Sequence, residues 1–152
     1  MKLSIIVGAI AALITGIAIV IQSTIASRAG SMIGDIRTGL LTNFLGGAIA
    51  GVILILIMLR EGTQTFKISG AVIGLVAVAG LLGIFIITGI SFSLQRAGIA
   101  AGLASAILGQ LVLSMIIDTY GIGGVEAVPL TFNRILGLLM MGVGVILLLP
   151  RN

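Results

Sequence analysis

Cysteine and histidine are both absent from this chain of 152 residues. Their absence excludes disulfides, thiol nucleophiles, zinc sites built from these residues, and acid–base chemistry by imidazole. Acids are also few, and none lies in the middle of an apolar run. The four acids are Asp35, Glu61, Asp118 and Glu126. We therefore expect neither an enzyme nor a bound metal or cofactor, because no nucleophile–base pair or ligand set can be assembled.

Charged residues of both signs are scarce, at 8% of the chain, while 59% of the residues are hydrophobic and mean hydropathy is +1.39. A soluble domain carries about 25% charged residues, so too little polar surface remains here to cover a soluble globule. The apolar runs are continuous rather than alternating, which predicts an all-α integral membrane protein. The basic residues are scattered singly, which fits loops near lipid head groups and argues against a nucleic-acid partner.

Five apolar runs predict five transmembrane helices in a single membrane domain over residues 1–152. The predicted helices are Leu3–Ala26, Leu40–Leu59, Ile68–Ile90, Gly98–Ile117 and Phe132–Leu149. Four short loops are predicted between them: Ser27–Gly39, Arg60–Lys67, Ser91–Ala97 and Asp118–Thr131. The first run resembles a signal peptide, but it is long enough to cross a bilayer, which takes roughly 20 residues. We therefore expect an uncleaved first helix.

Five spans place the two termini on opposite sides of the membrane, so lysine and arginine can be counted by side. One side holds Lys2, Arg60, Lys67 and Arg134, and the other holds Arg28, Arg37, Arg96 and Arg151. An excess of these residues in cytoplasmic loops normally fixes orientation. The equal count predicts insertion in both orientations, with two opposite copies pairing into an antiparallel homodimer that forms an inverted repeat. A single orientation fixed by another feature is the alternative.

Small residues recur four apart in several predicted helices, a spacing that lets helix backbones approach closely. The residues with this spacing are Gly8, Ala12 and Gly16, Gly47 and Gly51, Gly70 and Gly74, and Gly98, Gly102 and Ala106. The glycines predicted to pack helices are Gly47, Gly51, Gly98, Gly102 and Gly109. Their partner is either another helix of the same chain or the seam of a dimer, and the sequence does not separate the two.

A polar line crosses the fourth predicted helix, where Gln110, Ser114 and Asp118 are spaced by four and therefore share one face. Gln110 lies about 18 Å into the helix, close to the membrane midplane. It either bonds a neighbouring helix or faces a polar cavity and meets substrate. Asp118 is expected to be a helix-end or salt-bridge residue, with Arg134 as its candidate partner, or else to carry protons. Arg134 alternatively reaches the head groups or an anion.

Two further polar residues are candidate substrate ligands. Gln22 lies near the end of the first predicted helix, where a polar side chain is tolerated. Asn43 comes three residues into the second predicted helix, as a local cap or as part of a vestibule. The predicted substrate-binding set is therefore Gln110, Ser114, Gln22 and Asn43.

The stretch "GQLVLSMIIDTYGIGG" and the following "NRILGLLMMGVGVILL" resemble the YdcZ-like, five-span branch of the drug/metabolite transporter superfamily. The positions that match its pattern are Gly109, Gln110, Asp118, Gly121, Arg134 and Gly137. The stretch "TNFLGGAIAGVILIL" resembles the second helix of the family, and Gln22 resembles its first-helix glutamine. Ala26 stands where the family often has asparagine, so any role of that asparagine does not carry over.

The resemblance implies a ten-helix functional unit made of two five-helix units, as an antiparallel homodimer, an oppositely oriented pair or a fused tandem. It is similar in logic to the small multidrug resistance exporters, which use a carboxylate in their first helix. No acid lies in the first predicted helix of this chain, so a shared proton-antiport mechanism does not carry over.

We therefore expect a small-solute transporter of the prokaryotic inner membrane that works by alternating access. The expected substrate is a small polar or amphiphilic metabolite or drug. The expected partners are a second copy or an opposite-topology paralogue, together with membrane lipid. The alternatives are an accessory or assembly membrane protein without transport, and a passive pore or lipid-moving protein.

Overall fold

The computed structural model describes residues 3–62, 68–122, 124 and 126–150, and these residues form five α-helices and no strand. The helices are α1 Leu3–Ile33, α2 Asp35–Glu61, α3 Gly70–Ala97, α4 Ile99–Tyr120 and α5 Phe132–Leu148. The predicted all-helical chain with five helices is confirmed. Four of them, α1 to α4, are long and apolar enough to cross a membrane. The fifth has 17 residues, at the lower end of the range for a spanning helix of about 17–25 residues.

Two of the predicted loops are wrong, because residues 27–33 continue α1 and residues 91–97 continue α3. A single glycine ends each helix, and the next helix starts directly after it. Gly34 has φ 90° and Gly98 has φ 79°, in a region that favours glycine. No proline interrupts these polar segments, so nothing in them stops the helix before the glycine.

Backbone hydrogen bonds continue through both glycine corners. The N–H of Gly34 donates to the carbonyl of Gly30 at 2.8 Å, and the carbonyl of Gly34 accepts from Thr38 at 3.0 Å. At the second corner the N–H of Gly98 donates to the carbonyl of Leu94 at 3.1 Å, and the carbonyl of Gly98 accepts from the N–H of Gly102 at 3.0 Å. Each glycine thus caps one helix and opens the next.

The other two predicted loops are closer to the structure. In the first of them Arg60 and Glu61 are still helical, and residues 63–67 lie outside the described residues. In the last, α4 extends to Tyr120 and is capped by the left-handed Gly121. Irregular backbone follows up to Thr131, with residues 123 and 125 outside the described residues.

The chain divides into two compact units, a first that ends at Phe92 and a second that starts at Ser93. The boundary falls within α3. In the first unit α1 packs on α2, and in the second α4 packs on α5. The predicted single domain remains a prediction.

The apolar residues face outward to a degree that water would not tolerate. Leu13 is 69% exposed and Phe85 is 80% exposed, and most other large apolar side chains of the helices are exposed as well. Among the described residues, the buried polar ones are Ser23, Thr38 and Ser91. Small and polar side chains lie where helices meet and most large apolar ones lie outside, which is the arrangement expected for a chain surrounded by lipid.

Candidate functional site

A seam of small and polar residues joins α2 to α3 in the first unit. On α2 it consists of Asp35, Gly39 and Asn43, spaced by four and therefore on one face of the helix. On α3 it consists of Gly83, Thr88 and Ser91. These six residues are called the α2–α3 seam below. Three contacts along it bring the two helices together.

The first contact is at Ser91, which is 0% exposed. Its hydroxyl lies 2.6 Å from Asp35 Oδ1 and 3.2 Å from the carbonyl oxygen of Ala26. Because a hydroxyl has one proton, the shorter and charged acceptor takes it. Ser91 of α3 thereby contacts both α1 and α2.

The other two contacts of the seam each depend on a glycine that has no side chain to separate the helices. A methyl group on Gly39 would overlap the Thr88 hydroxyl and lie 2.9 Å from the carbonyl oxygen of Ile84. A methyl group on Gly83 would lie 2.7 Å from Asn43 Oδ1. The Asn43 amide also donates to the carbonyl of Gly39 at 2.9 Å, which fixes its direction.

The close approach of α2 and α3 ends just beyond Asn43. At Gly46 and Gly47 of α2 and at Gly80 of α3, no atom beyond the nearby backbone of the same helix comes within 4 Å of the place where a Cβ would be. A cavity of about 320 Å³ lies at this point, and Gln22, Thr42 and Asn43 are its polar lining. Two predicted substrate ligands, Gln22 of α1 and Asn43 of α2, therefore share one cavity.

Gln22 and Thr42 also line a second cavity, of about 370 Å³, between α1 and α2. The remaining lining is aliphatic, with Ile21 and Ile25 among its residues. The Gln22 side chain is exposed and lines both cavities. Amide and hydroxyl groups around apolar walls are suited to orienting a small solute by hydrogen bonds.

In the second unit, Asp118 and Arg134 form a salt bridge at 2.5 Å. The Arg134 guanidinium also donates to the carbonyl of Val128 at 3.3 Å, and the N–H of Val128 donates to the carbonyl of Asp118 at 2.9 Å. These bonds form a closed ring that ties the α4–α5 connection to both helices. Each of the two charged side chains is about one-third exposed, at 39% for Asp118 and 29% for Arg134.

Only two of the three residues in the polar line of α4 line the same cavity. Ser114, Asp118 and Arg134 line one cavity of about 280 Å³, but Gln110 does not line it. Gln110 is exposed, and its side chain makes no hydrogen bond to another described residue. The hypothesis that Gln110 bonds a neighbouring helix of the same unit is therefore not supported, and its role as a substrate ligand stays a prediction.

The glycines predicted to pack helices divide into three groups. Within their own units, Gly47, Gly51 and Gly109 have no atom beyond the nearby backbone of their own helix within 4 Å of the place where a Cβ would be, so their predicted packing role stays a prediction. Gly98 lies at the corner between α3 and α4 and therefore not on the face of a helix. Gly102 does pack closely, since a Cβ there would lie 2.9 Å from Leu94 Cδ1.

Sequence reasoning missed Asp35, Gly39 and Ser91 as members of a seam. Asp35 and Ser91 fall in predicted loops, and one of those loops ends at Gly39. The signal that could have found the α2 half is the spacing of four that runs from Asp35 through Gly39 to Asn43. Ser91 has no comparable signal, because its partner Asp35 is 56 residues away in sequence.

Comparison with protein families identifies the relatives of the chain. Residues 7–147 match the family DMT_YdcZ, whose description is "Putative inner membrane exporter, YdcZ". The chain belongs to this family. The resemblance drawn from the sequence is thereby confirmed, and it extends over nearly the whole chain. No curated protein and no solved structure matches.

Family membership fixes the broad class of the protein. The family is described as one of inner membrane exporters, which agrees with the four long apolar helices of the structure. The chain is therefore a multi-pass membrane protein of a transporter family. Among the described residues, no three acidic side chains come together as a metal-binding group.

Proposed function

We propose that this YdcZ-family protein is a small-solute carrier of the inner membrane that exports its substrate by alternating access. The observation that carries the proposal is the cavity at the end of the α2–α3 seam, where Gln22, Thr42 and Asn43 converge between otherwise apolar helices. Polar groups inside apolar spans are expensive and are typical of substrate pathways. The family description supports export as the direction.

The residues that line this cavity indicate which class of substrate it suits. Amides and a hydroxyl offer both donors and acceptors without a net charge. Such a lining suits a polar, zwitterionic or amphiphilic solute better than an ion of high charge. Gln110 and Ser114 are proposed to extend this polar surface, while Asp118 is held by Arg134 and acts as a structural group.

The functional unit is proposed to be an antiparallel homodimer of two oppositely inserted copies, with an opposite-topology paralogue as the other candidate partner. The equal lysine and arginine count on the two sides supports this arrangement. Gly47 and Gly51 support it too, since their small face has no neighbour in the first unit and can accept a helix of a second copy. Rocking of the two copies against each other would then expose the cavity to each side in turn.

A transport experiment with matched variants tests the carrier. Everted membrane vesicles that contain the protein are incubated with a cell metabolite extract, and their contents are analysed by mass spectrometry. We expect saturable accumulation of one class of solute, lost in Gln22→Ala and in Gln110→Ala. Thr15→Val is the control, because the Thr15 hydroxyl bonds only the carbonyl of Ala11 in its own helix, at 2.9 Å. Accumulation that does not saturate, or that survives both substitutions, would contradict the carrier.

A further inference from the structure

The first unit has a larger cavity, of about 820 Å³, between the start of α2 and the last turns of α3. It is lined by Arg37 on α2 and by Phe85, Gly89 and Phe92 on α3, and it is called the Arg37 groove below. Phe85 is 80% exposed and Phe92 is 49% exposed, so the groove opens onto the surface of the chain. It shares no lining residue with the cavity at the end of the α2–α3 seam, and the family description assigns it no role.

The α3 wall of the groove is apolar and has open space at its centre. Phe85, Gly89 and Phe92 are spaced by four and three, so they lie on one face of the helix. Beyond the nearby backbone of its own helix, no atom comes within 4 Å of the place where a Cβ of Gly89 would be. From Phe85 to Phe92 this face is about 10 Å long. Aromatic and aliphatic walls of this length gain free energy when a hydrocarbon chain covers them.

The polar end of the groove is at Arg37. This residue is exposed, and within the described part of the chain it makes no hydrogen bond or ion pair. The 27 residues of α2 are about 40 Å long, whereas the hydrocarbon core is about 30 Å thick. Because Arg37 lies in the first turn of α2, it reaches the level of the lipid head groups when this helix spans the membrane. Arginine binds phosphate oxygens there through parallel hydrogen bonds.

Asp35 also lines the cavity, but its carboxylate is engaged within the protein. It accepts a hydrogen bond from the buried Ser91 hydroxyl at 2.6 Å, and it makes a further interaction as well. Asp35 and Arg37 are two residues apart on a helix, so their side chains point in different directions. The charge that the groove offers to a ligand is therefore the positive charge of Arg37.

We propose that the Arg37 groove binds an anionic phospholipid of the membrane, with the phosphate at Arg37 and one acyl chain over Gly89 between Phe85 and Phe92. Charge complementarity selects an acidic head group. The open apolar wall suits a ligand that enters from the bilayer and not from water. Phosphatidylcholine fits the apolar wall equally well, but its choline group places a second cation beside the arginine. The site is independent of the proposed function, because lipid binds here whether or not the chain moves a solute.

A fluorescent reporter in the groove tests the proposal on the full chain. The chain has no tryptophan, so Phe85→Trp introduces a single one. The protein is placed in nanodiscs of equal amounts of phosphatidylglycerol and phosphatidylcholine, with bromine on the acyl chains of one lipid or the other as a quencher. We expect phosphatidylglycerol to be enriched about fivefold at the reporter, the effect of one basic residue near a membrane surface.

The matched control places the reporter elsewhere on the apolar surface. Phe44 on α2 is 71% exposed and does not line the groove. In Phe44→Trp the two brominated lipids should quench equally, because general contact with the bilayer does not distinguish their head groups there. Each position is judged by the ratio of the two lipids, so a difference in depth between the two reporters does not affect the comparison.

Substitutions of Arg37 in the Phe85→Trp protein test the charge. Arg37→Gln should remove the enrichment, whereas Arg37→Lys should keep most of it because the positive charge remains. Both should fold, since Arg37 is exposed and contributes no hydrogen bond to another described residue. Arg28→Gln is the control for the loss of one positive charge, because Arg28 is an exposed arginine that does not line the groove.

A further substitution fills the apolar part of the groove. In Gly89→Leu the new side chain occupies the space between the two aromatic positions, so the enrichment should be lost while Arg37 is unchanged. The matched control is Gly80→Leu on the same helix. Gly80 has equal space around it and lies outside the groove, so this variant should keep the enrichment.

Three results would overturn the proposal. Equal enrichment in Phe44→Trp would show a general lipid preference and no site, as would enrichment that survives Arg37→Gln. Absence of quenching by either lipid in Phe85→Trp would show that protein covers the groove. Loss of the enrichment on addition of soluble glycerol phosphate would show a site for a water-soluble acid and not for a lipid. Because no transport is measured, selective quenching supports the site even if the chain moves no solute, and its absence leaves the carrier untouched.

Discussion

The Ser91 hydroxyl has one proton and two acceptors within reach, the Asp35 carboxylate and the carbonyl of Ala26. A fully buried hydroxyl is favourable only when its proton is used. Here it anchors the start of α2 to α3 and also lies against α1. One small side chain of α3 thus contacts both α1 and α2.

Removing the Ser91 hydroxyl should destabilise the first unit. In Ser91→Ala, Asp35 loses a hydrogen bond that a charged acceptor makes strong, at a cost of about 1–3 kcal/mol. The measurement is unfolding by SDS titration in mixed micelles. Ser31→Ala is the control and should be nearly neutral, because Ser31 is exposed and bonds the carbonyl of Arg28 in its own helix at 2.7 Å. Equal stability of the two variants would rule out an anchoring role for Ser91.

At the scale of single residues, only part of the candidate site could be predicted from the sequence. Gln22 and Asn43 were predicted because an amide in an apolar run is conspicuous, and they do share a cavity. The contact between Asp35 and Ser91 could not be predicted, since residues 56 positions apart in sequence leave no local pattern. Gln110 is equally conspicuous in the sequence, yet it lines no cavity with Ser114.

At the scale of the helices, apolar runs predicted the number of elements well and their ends poorly. A run of about 20 apolar residues identifies the part of a helix that contacts hydrocarbon. It does not identify the turns beyond it, where α1 and α3 continue through polar residues. The helix ends are instead set by Gly34 and Gly98, where positive φ values require glycine.

The α2–α3 seam predicts that two glycines of the same helix respond differently to a methyl group. Gly39→Ala should push α2 away from the Thr88 hydroxyl and the Ile84 carbonyl, at a cost of about 1–3 kcal/mol. Gly47→Ala meets no atom of the first unit and should leave an isolated chain as stable or slightly more stable. SDS titration of monomeric protein measures both. A larger loss in Gly47→Ala than in Gly39→Ala would contradict the seam.

At the scale of the whole molecule, the surface of the described residues is mostly apolar, and their few charged side chains lie near helix ends or in the α4–α5 connection. Lipid or a second copy must cover that surface, because water would not. The lysine and arginine count gives neither orientation an advantage. Together with membership of a family described as inner membrane exporters, these features support the proposed carrier made of two opposite copies.

Orientation in the membrane is the measurement that tests this account most directly. The chain has no cysteine, so Asn152→Cys introduces a single reactive thiol. Its labelling by a membrane-impermeant maleimide in intact cells is compared with total labelling after permeabilisation. We predict that roughly half of the thiols react in intact cells, because equal charge allows both orientations. Labelling of nearly all or nearly none would show a single orientation and would contradict the antiparallel homodimer.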